Sequence, residues 1–134
     1  MAIILEEIYE VALHRHNMKL VAGGRGLRNL VDWVHTVEEM DYVSFLKGRE
    51  LIITTGIREK DEEPLVRFVK SLHETGASGL VINIRKYITR VPRGVIAYSE
   101  EAGFPVFTLP WEVHLVDFNR DLCNLIYKTM QEQD

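Results

Sequence analysis

The sequence predicts an α/β fold, in which a mostly parallel sheet carries helices on its faces. Residues 51–55, 79–84 and 105–109 are short, nearly continuous apolar runs. Such runs are typical of strands that are buried on both faces of a parallel sheet. Segments with helical periodicity separate the three runs, and this alternation is the order expected of right-handed βαβ crossovers.

The first part of the chain is predicted to hold one helix and one strand. Residues 2–17 repeat apolar side chains on one helical face. A short apolar segment, 20–22, leads into a glycine-rich turn at 23–26. Residues 31–37 are rich in β-branched and aromatic side chains, which favours a strand. Residues 41–47 are predicted to form a short helix or a turn.

Three further helices are predicted beyond residue 60. The pattern is clearest at 62–75, where Pro64 and acidic residues occupy the first turn and Gly76 follows the end. The segment 92–102 is predicted to be a second crossover helix. A final helix is predicted over 115–132, with a buried stripe formed by Phe118, Leu122, Leu125 and Ile126.

Length and composition indicate one globular domain over residues 1–134, with 46% hydrophobic and 27% charged residues. The net charge of −4 argues against broad nucleic-acid binding, so no direct nucleic-acid contact is expected. The sequence has no apolar run of the length that a membrane span needs and no basic region typical of a signal peptide. We therefore expect a cytoplasmic location, which a single cysteine also suits.

The residues that most often carry catalysis form no recognisable pattern. His14 and His16 are two positions apart, so on a helix they point in different directions and cannot share a metal ion. Cys123 lies within an apolar helical stripe, which favours packing. The acidic runs at 38–41 and 61–63 precede predicted helices, where carboxylates favour the helix dipole and stay solvated. We expect no metal, no cofactor and no catalytic residue.

The glycine-rich turn at 23–26 lacks the lysine and hydroxyl residue that end a phosphate-binding P-loop. A tight turn that needs positive φ angles explains its glycines. Arg25 within the turn and Arg28 just beyond it are candidates for anion or interface contacts.

Ligands of open parallel sheets bind beyond the carboxyl ends of the strands, and three loops qualify here. They supply hydroxyls, a carboxamide, cations, an indole and a carboxylate, which suit an anion or a planar heterocycle. The candidate effector-binding residues are Thr54, Thr55, Gly56, Asn83, Arg85, Lys86, Trp111 and Glu112. The alternative is that Thr54, Thr55 and Asn83 only satisfy backbone groups at strand ends.

Several segments together resemble the N-terminal domain of PucR-type regulators. They are the turn at Gly23, LKGRELIITTG at 46–56, GASGLVINI at 76–84, and the stretch from Val91-Pro92 to Leu109-Pro110. The resemblance covers about Ile8 to Ile126. The same pattern is similar to the N-terminal domains of Mur ligases (the MurF type) and of an HPr kinase, which implies a related fold.

The resemblance implies a sensory or regulatory domain of a bacterial transcription regulator. In that family the domain precedes a helix-turn-helix DNA-binding region. We expect that region in a longer protein from which this chain was cut; the alternative is that the chain ends naturally after a connector. The effector implied by the family is a purine or a purine-breakdown product. The final helix is a candidate connector to downstream domains or a homodimer seam.

Two other functions remain open from the residues alone. The chain could be a dimerisation or protein-interaction module that binds no small ligand. An enzyme is the weakest alternative, because turnover needs a paired acid and base or a metal, and neither is recognisable in the sequence.

Overall fold

A computed structural model describes residues 2–55, 62–84 and 90–132. The helices are Leu5–His16 (α1), Glu62–Glu74 (α2), Arg93–Ala102 (α3) and Leu115–Glu132 (α4). The strands are Ile3–Ile4 (β1), Lys19–Ala22 (β2), Leu30–Val31 (β3), Trp33–Thr36 (β4), Glu50–Thr54 (β5), Gly79–Asn83 (β6) and Val106–Leu109 (β7).

The main sheet has five strands in the order β2-β7-β6-β5-β4. Strands β4, β5, β6 and β7 are parallel, and β2 is antiparallel to β7 at one edge. The predicted α/β fold with a mostly parallel sheet is therefore confirmed. The parallel strands follow one another in one direction across the sheet, so crossovers of one hand lie on the same face.

The sheet separates two apolar cores, because successive side chains of a strand point to opposite faces. One core joins α1 and α4 to Leu51, Ile53 and Val81. The other joins α2 and α3 to Ile52 and Leu80. The alternation within β5 and β6 therefore places helices on both faces, as predicted.

Helix α2 forms where the sequence pattern is strongest. Its buried residues are the four predicted ones, Leu65, Phe68, Val69 and Leu72. Glu62 and Glu63 occupy its first turn, where carboxylates interact favourably with the positive end of the helix. Gly76 follows with a φ of 94°, a conformation that favours glycine and stops the helix.

Two predictions for the first part of the chain are wrong in detail. The helix predicted over 2–17 begins only at Leu5, because Ile3 and Ile4 pair with Leu30 and Val31 as a small antiparallel sheet. The single strand predicted over 31–37 is two strands with different partners. The change of partner occurs at Asp32, whose N–H donates to the carbonyl of Arg49.

The apolar segment at 20–22 belongs to a strand that the sequence did not predict. Lys19 pairs with Thr108 and Leu20 with Phe107, so β2 extends the sheet as an antiparallel edge. Because β2 runs against its neighbours, its first residue lies beside the carboxyl end of β7. This places Lys19 at the edge where the parallel strands end.

The glycine-rich turn is a tight structural turn, as predicted. Gly23 has a φ of 78°, and a Cβ atom there would lie 2.1 Å from the carbonyl oxygen of Phe104. The Nη2 of Arg25 donates to the carbonyl oxygens of Glu100, at 2.9 Å, and Glu101, at 2.5 Å. Arg25 therefore stabilises the C-terminal end of α3, where free carbonyls favour a cation.

The connection from β4 to β5 contains a short 3₁₀ helix, Met40–Phe45, which begins one residue before the predicted 41–47 segment and overlaps most of it. Val43 is buried in the core under α2 and α3, whereas Tyr42 and Phe45 are exposed. Phe45 is 75% exposed, and its ring centroid lies 6.2 Å from that of Tyr42. This crossover therefore presents aromatic surface to solvent.

Candidate functional site

The carboxyl ends of β4, β5, β6 and β7 lie along one edge of the sheet, because these strands are parallel. Five of the eight predicted effector-binding residues are described there: Thr54, Thr55, Asn83, Trp111 and Glu112. The other three, Gly56, Arg85 and Lys86, lie outside the described residues.

Thr54 and Thr55 are buried at the end of β5. The backbone N–H of Thr55 donates to Glu38 Oε1 at 2.9 Å, and its hydroxyl donates to Glu38 Oε2 at 2.6 Å. Thr55 is thus satisfied by a carboxylate of the same chain. This contact favours the structural alternative for Thr55.

Glu38 was predicted to be a solvated residue near a helix start, and it is exposed just before the 3₁₀ helix Met40–Phe45. The prediction did not include its second role, as the acceptor for Thr55. Thr36 pairs with Ile53, so Glu38 lies level with Thr55 on the neighbouring strand end. The pairing of β4 with β5 would have revealed the contact, but the sequence alone did not predict which strands are neighbours.

Replacing Glu38 with alanine is expected to lower the free energy of unfolding by about 1–3 kcal/mol, because the buried N–H and hydroxyl of Thr55 lose their acceptor. Glu38→Gln retains one acceptor oxygen and should cost less. Urea denaturation measures both. Glu10→Ala, on the exposed face of α1, is the matched control and should stay within about 0.5 kcal/mol of the parent. Equal effects of Glu38→Ala and Glu10→Ala would contradict this assignment.

Asn83 also serves the fold. Its buried amide Nδ2 donates to the carbonyl oxygens of Leu109, at 3.2 Å, and Pro110, at 3.0 Å. These bonds tie the end of β6 to the loop between β7 and α4. Asn83 therefore positions that loop, including Trp111.

Trp111 and Glu112 line a cavity of about 270 Å³ at the β2 corner of this edge. Its other lining side chains include Asn17, Lys19, Ile84 and Thr108. Both predicted residues that face this cavity are exposed, and Trp111 shows 58% of its surface. The cavity brings an indole, a cation, a carboxylate and a hydroxyl together.

The strand register explains how the floor of this cavity forms. Phe107 and Leu109 belong to the core under α1 and α4, so Thr108 between them points to the opposite face. Lys19 pairs with Thr108 and shares that face. Sequence reasoning missed Lys19 and Asn17, because finding them requires knowing that β2 pairs antiparallel with β7.

A hydrogen bond connects the end of α1 to α4. His16 Nε2 lies 2.6 Å from Asp121 Oδ2, and the His16 side chain is only 11% exposed. The His16 ring also packs edge-on against Phe118, with 5.3 Å between centroids. Since Asn17 follows His16 directly, the cavity wall is attached to this contact.

Cys123 packs beside the core under α1 and α4, as its position in the helical stripe predicted. Burial raises the pKa of its thiol, which disfavours the reactive thiolate.

Within residues 2–55, 62–84 and 90–132, no group of three or more His, Cys, Asp or Glu side chains is arranged to hold a metal ion. In the same ranges, no helix combines the length and apolar character that crossing a bilayer requires.

Comparison with known proteins gives a consistent result. The profile of the purine catabolism regulatory protein-like family matches residues 7–126. The chain is also similar to the purine catabolism regulatory protein of Bacillus subtilis (strain 168), with 30% identity over 102 residues. The aligned part is 75% of this chain and 19% of that relative, so the chain spans about a fifth of the relative's length. With the family profile covering most of its residues, the chain belongs to the purine catabolism regulatory protein-like (PucR) family of regulatory proteins.

Proposed function

We propose that this chain is the sensory domain of a bacterial transcription regulator and that it binds a small effector at the carboxyl edge of its sheet. The observation that carries the proposal is the cavity beside Trp111. It lies where ligands of parallel α/β sheets bind, and it combines an exposed aromatic ring with charged and hydroxyl side chains.

The remaining parts of the proposal follow from the family. The effector is a purine or a purine-breakdown product, in keeping with the name of the Bacillus subtilis relative. DNA is contacted by a helix-turn-helix region elsewhere in the full-length regulator, while this acidic chain makes no direct nucleic-acid contact. The domain acts in the cytoplasm and catalyses no reaction. Its fold kinship with the N-terminal domains of Mur ligases and HPr kinase remains a prediction.

Helix α4 is the proposed route of the signal to the rest of the regulator. Three residues of the helix are fully buried against the sheet, so the helix packs directly on the domain core: Phe118, Leu122 and Ile126. The loop that begins α4 is the same loop that carries Trp111 and Glu112. A ligand in the cavity therefore contacts the segment that leads directly into α4.

A thermal-shift screen of purines, ureides and nucleotides tests the effector proposal. A ligand that binds only the native state at a hundred times its Kd stabilises the protein by about 2.7 kcal/mol, which raises the melting temperature. Trp111→Ala should abolish the shift. The other tryptophan, Trp33, lies on the distant edge strand β4, and Trp33→Ala should retain the thermal shift. No shift with any compound, or a shift that survives Trp111→Ala, would contradict the proposal.

The second candidate function is a dimerisation or interaction module without a small ligand. The exposed aromatic residues of the crossover, Tyr42 and Phe45, favour it, as does Trp33 on the open edge of the sheet. Sedimentation at micromolar concentration would then give a dimer that Phe45→Ser dissociates, and the ligand screen would be empty.

A further inference from the structure

The cavity has two features that family membership does not supply, a cation from β2 and a hydroxyl from β7. Lys19 and Thr108 are paired residues of these strands and point to the same face. Their ammonium and hydroxyl groups can both donate hydrogen bonds to an oxygen of a ligand. One side of the cavity is therefore suited to an anionic or carbonyl oxygen.

The other side carries the opposite charge. Glu112 is exposed on the cavity wall, and its ionised carboxylate only accepts hydrogen bonds. Among the described residues, neither Lys19 nor Glu112 forms an ion pair with another side chain. Both charges are thus available to a ligand, and hydrogen bonds to charged groups are stronger than neutral ones.

Shape and size restrict the ligand further. The indole of Trp111 is exposed at the cavity, where it offers a flat surface for stacking. Drug-sized ligands occupy cavities of about 300–1,000 Å³. A cavity of about 270 Å³ suits a smaller molecule of one or two rings.

We propose that this cavity binds a small, flat, bipolar molecule, with an anionic oxygen at Lys19 and Thr108, N–H donors at Glu112, and a ring against Trp111. The inference rests on the proposed sensory function and specifies the ligand chemistry that this site selects. Lys19 and Glu112 form hydrogen bonds with opposite ends of the ligand, and Trp111 stacks on its ring.

Three commercially available compounds separate these contributions. Orotate has a flat ring, a carboxylate and N–H donors; benzoate has only the ring and the carboxylate; uracil has the ring and the donors without the carboxylate. Isothermal titration calorimetry of the whole chain measures each Kd. Orotate is expected to bind at least about tenfold more tightly than either comparator, since benzoate lacks the N–H donors for Glu112 and uracil lacks the anionic group for Lys19.

Variants assign each end of the ligand to a residue. Lys19→Ala should reduce orotate binding to the level of uracil, and Glu112→Ala should reduce it to the level of benzoate. Lys47→Ala removes an exposed lysine outside the cavity lining and should leave the Kd of orotate unchanged. Circular dichroism verifies that the variants, which change exposed side chains, remain folded.

The outcomes also separate this inference from the proposed function. If orotate binds no better than benzoate and uracil, or keeps its advantage in Lys19→Ala, the bipolar site is wrong. The sensory function would still stand if a purine or ureide shifted the melting temperature and Trp111→Ala abolished that shift. An empty screen together with no orotate binding would reject both.

Discussion

Gly23→Ala is expected to lower the free energy of unfolding by about 2–5 kcal/mol. The φ of 78° at Gly23 lies in the left-handed region, which costs other residues roughly 1–2 kcal/mol. The new Cβ would also lie 2.1 Å from the carbonyl oxygen of Phe104, and such forced overlap costs about 1–3 kcal/mol more. Because the neighbour is backbone, a rotamer change cannot relieve the contact.

Gly24→Ala is the matched control, since it adds the same methyl group one residue later. Its Cβ would meet only a Leu20 side-chain carbon at 3.5 Å, an ordinary contact. We expect a change within about 0.5 kcal/mol by urea denaturation. Similar stabilities of the two variants would show that the turn does not require glycine at position 23.

Phe118→Ala is expected to cost about 3–5 kcal/mol, the range for truncating a fully buried aromatic side chain. Phe118 is 0% exposed on α4 and also supports the His16 ring. Val116→Ala, on the same helix but 76% exposed, should stay within about 0.5 kcal/mol of the parent. Chemical denaturation of both variants measures the difference. A small effect of Phe118→Ala would mean that α4 is not an integral part of the core.

The sequence predicted those elements whose signal is local. Helix α2 was predicted because four apolar residues recur at helical spacing, and all four are buried in the structure. Strands β5 and β6 were predicted from continuous apolar runs, and both of their faces are buried. The short strand β2 was not predicted, since Lys19–Ala22 lacks any periodicity that distinguishes a strand from a loop. Its stability comes from pairing with β7, a contact between residues far apart in the chain.

The same distinction holds for the candidate site. Trp111 and Glu112 were predicted because they directly follow a recognisable strand, and the structure places them on the cavity. Lys19 shares that cavity but belongs to the unpredicted strand. Thr55 was predicted for ligand binding, whereas the structure pairs it with Glu38, a partner that only the strand register reveals.

The contact between His16 and Asp121 has a thermodynamic consequence for the proposed sensor. Asn17 and Lys19 follow His16 closely in the chain, so the proposed ligand, on contacting this segment, would also act on the junction of α1 with α4. Linkage is reciprocal. If the ligand changes the equilibrium constant for docking of α4 by some factor, a partner that binds α4 in its docked position changes the affinity for the ligand by the same factor. A regulator built on this junction would bind its effector with an affinity that depends on the state of its own output helix.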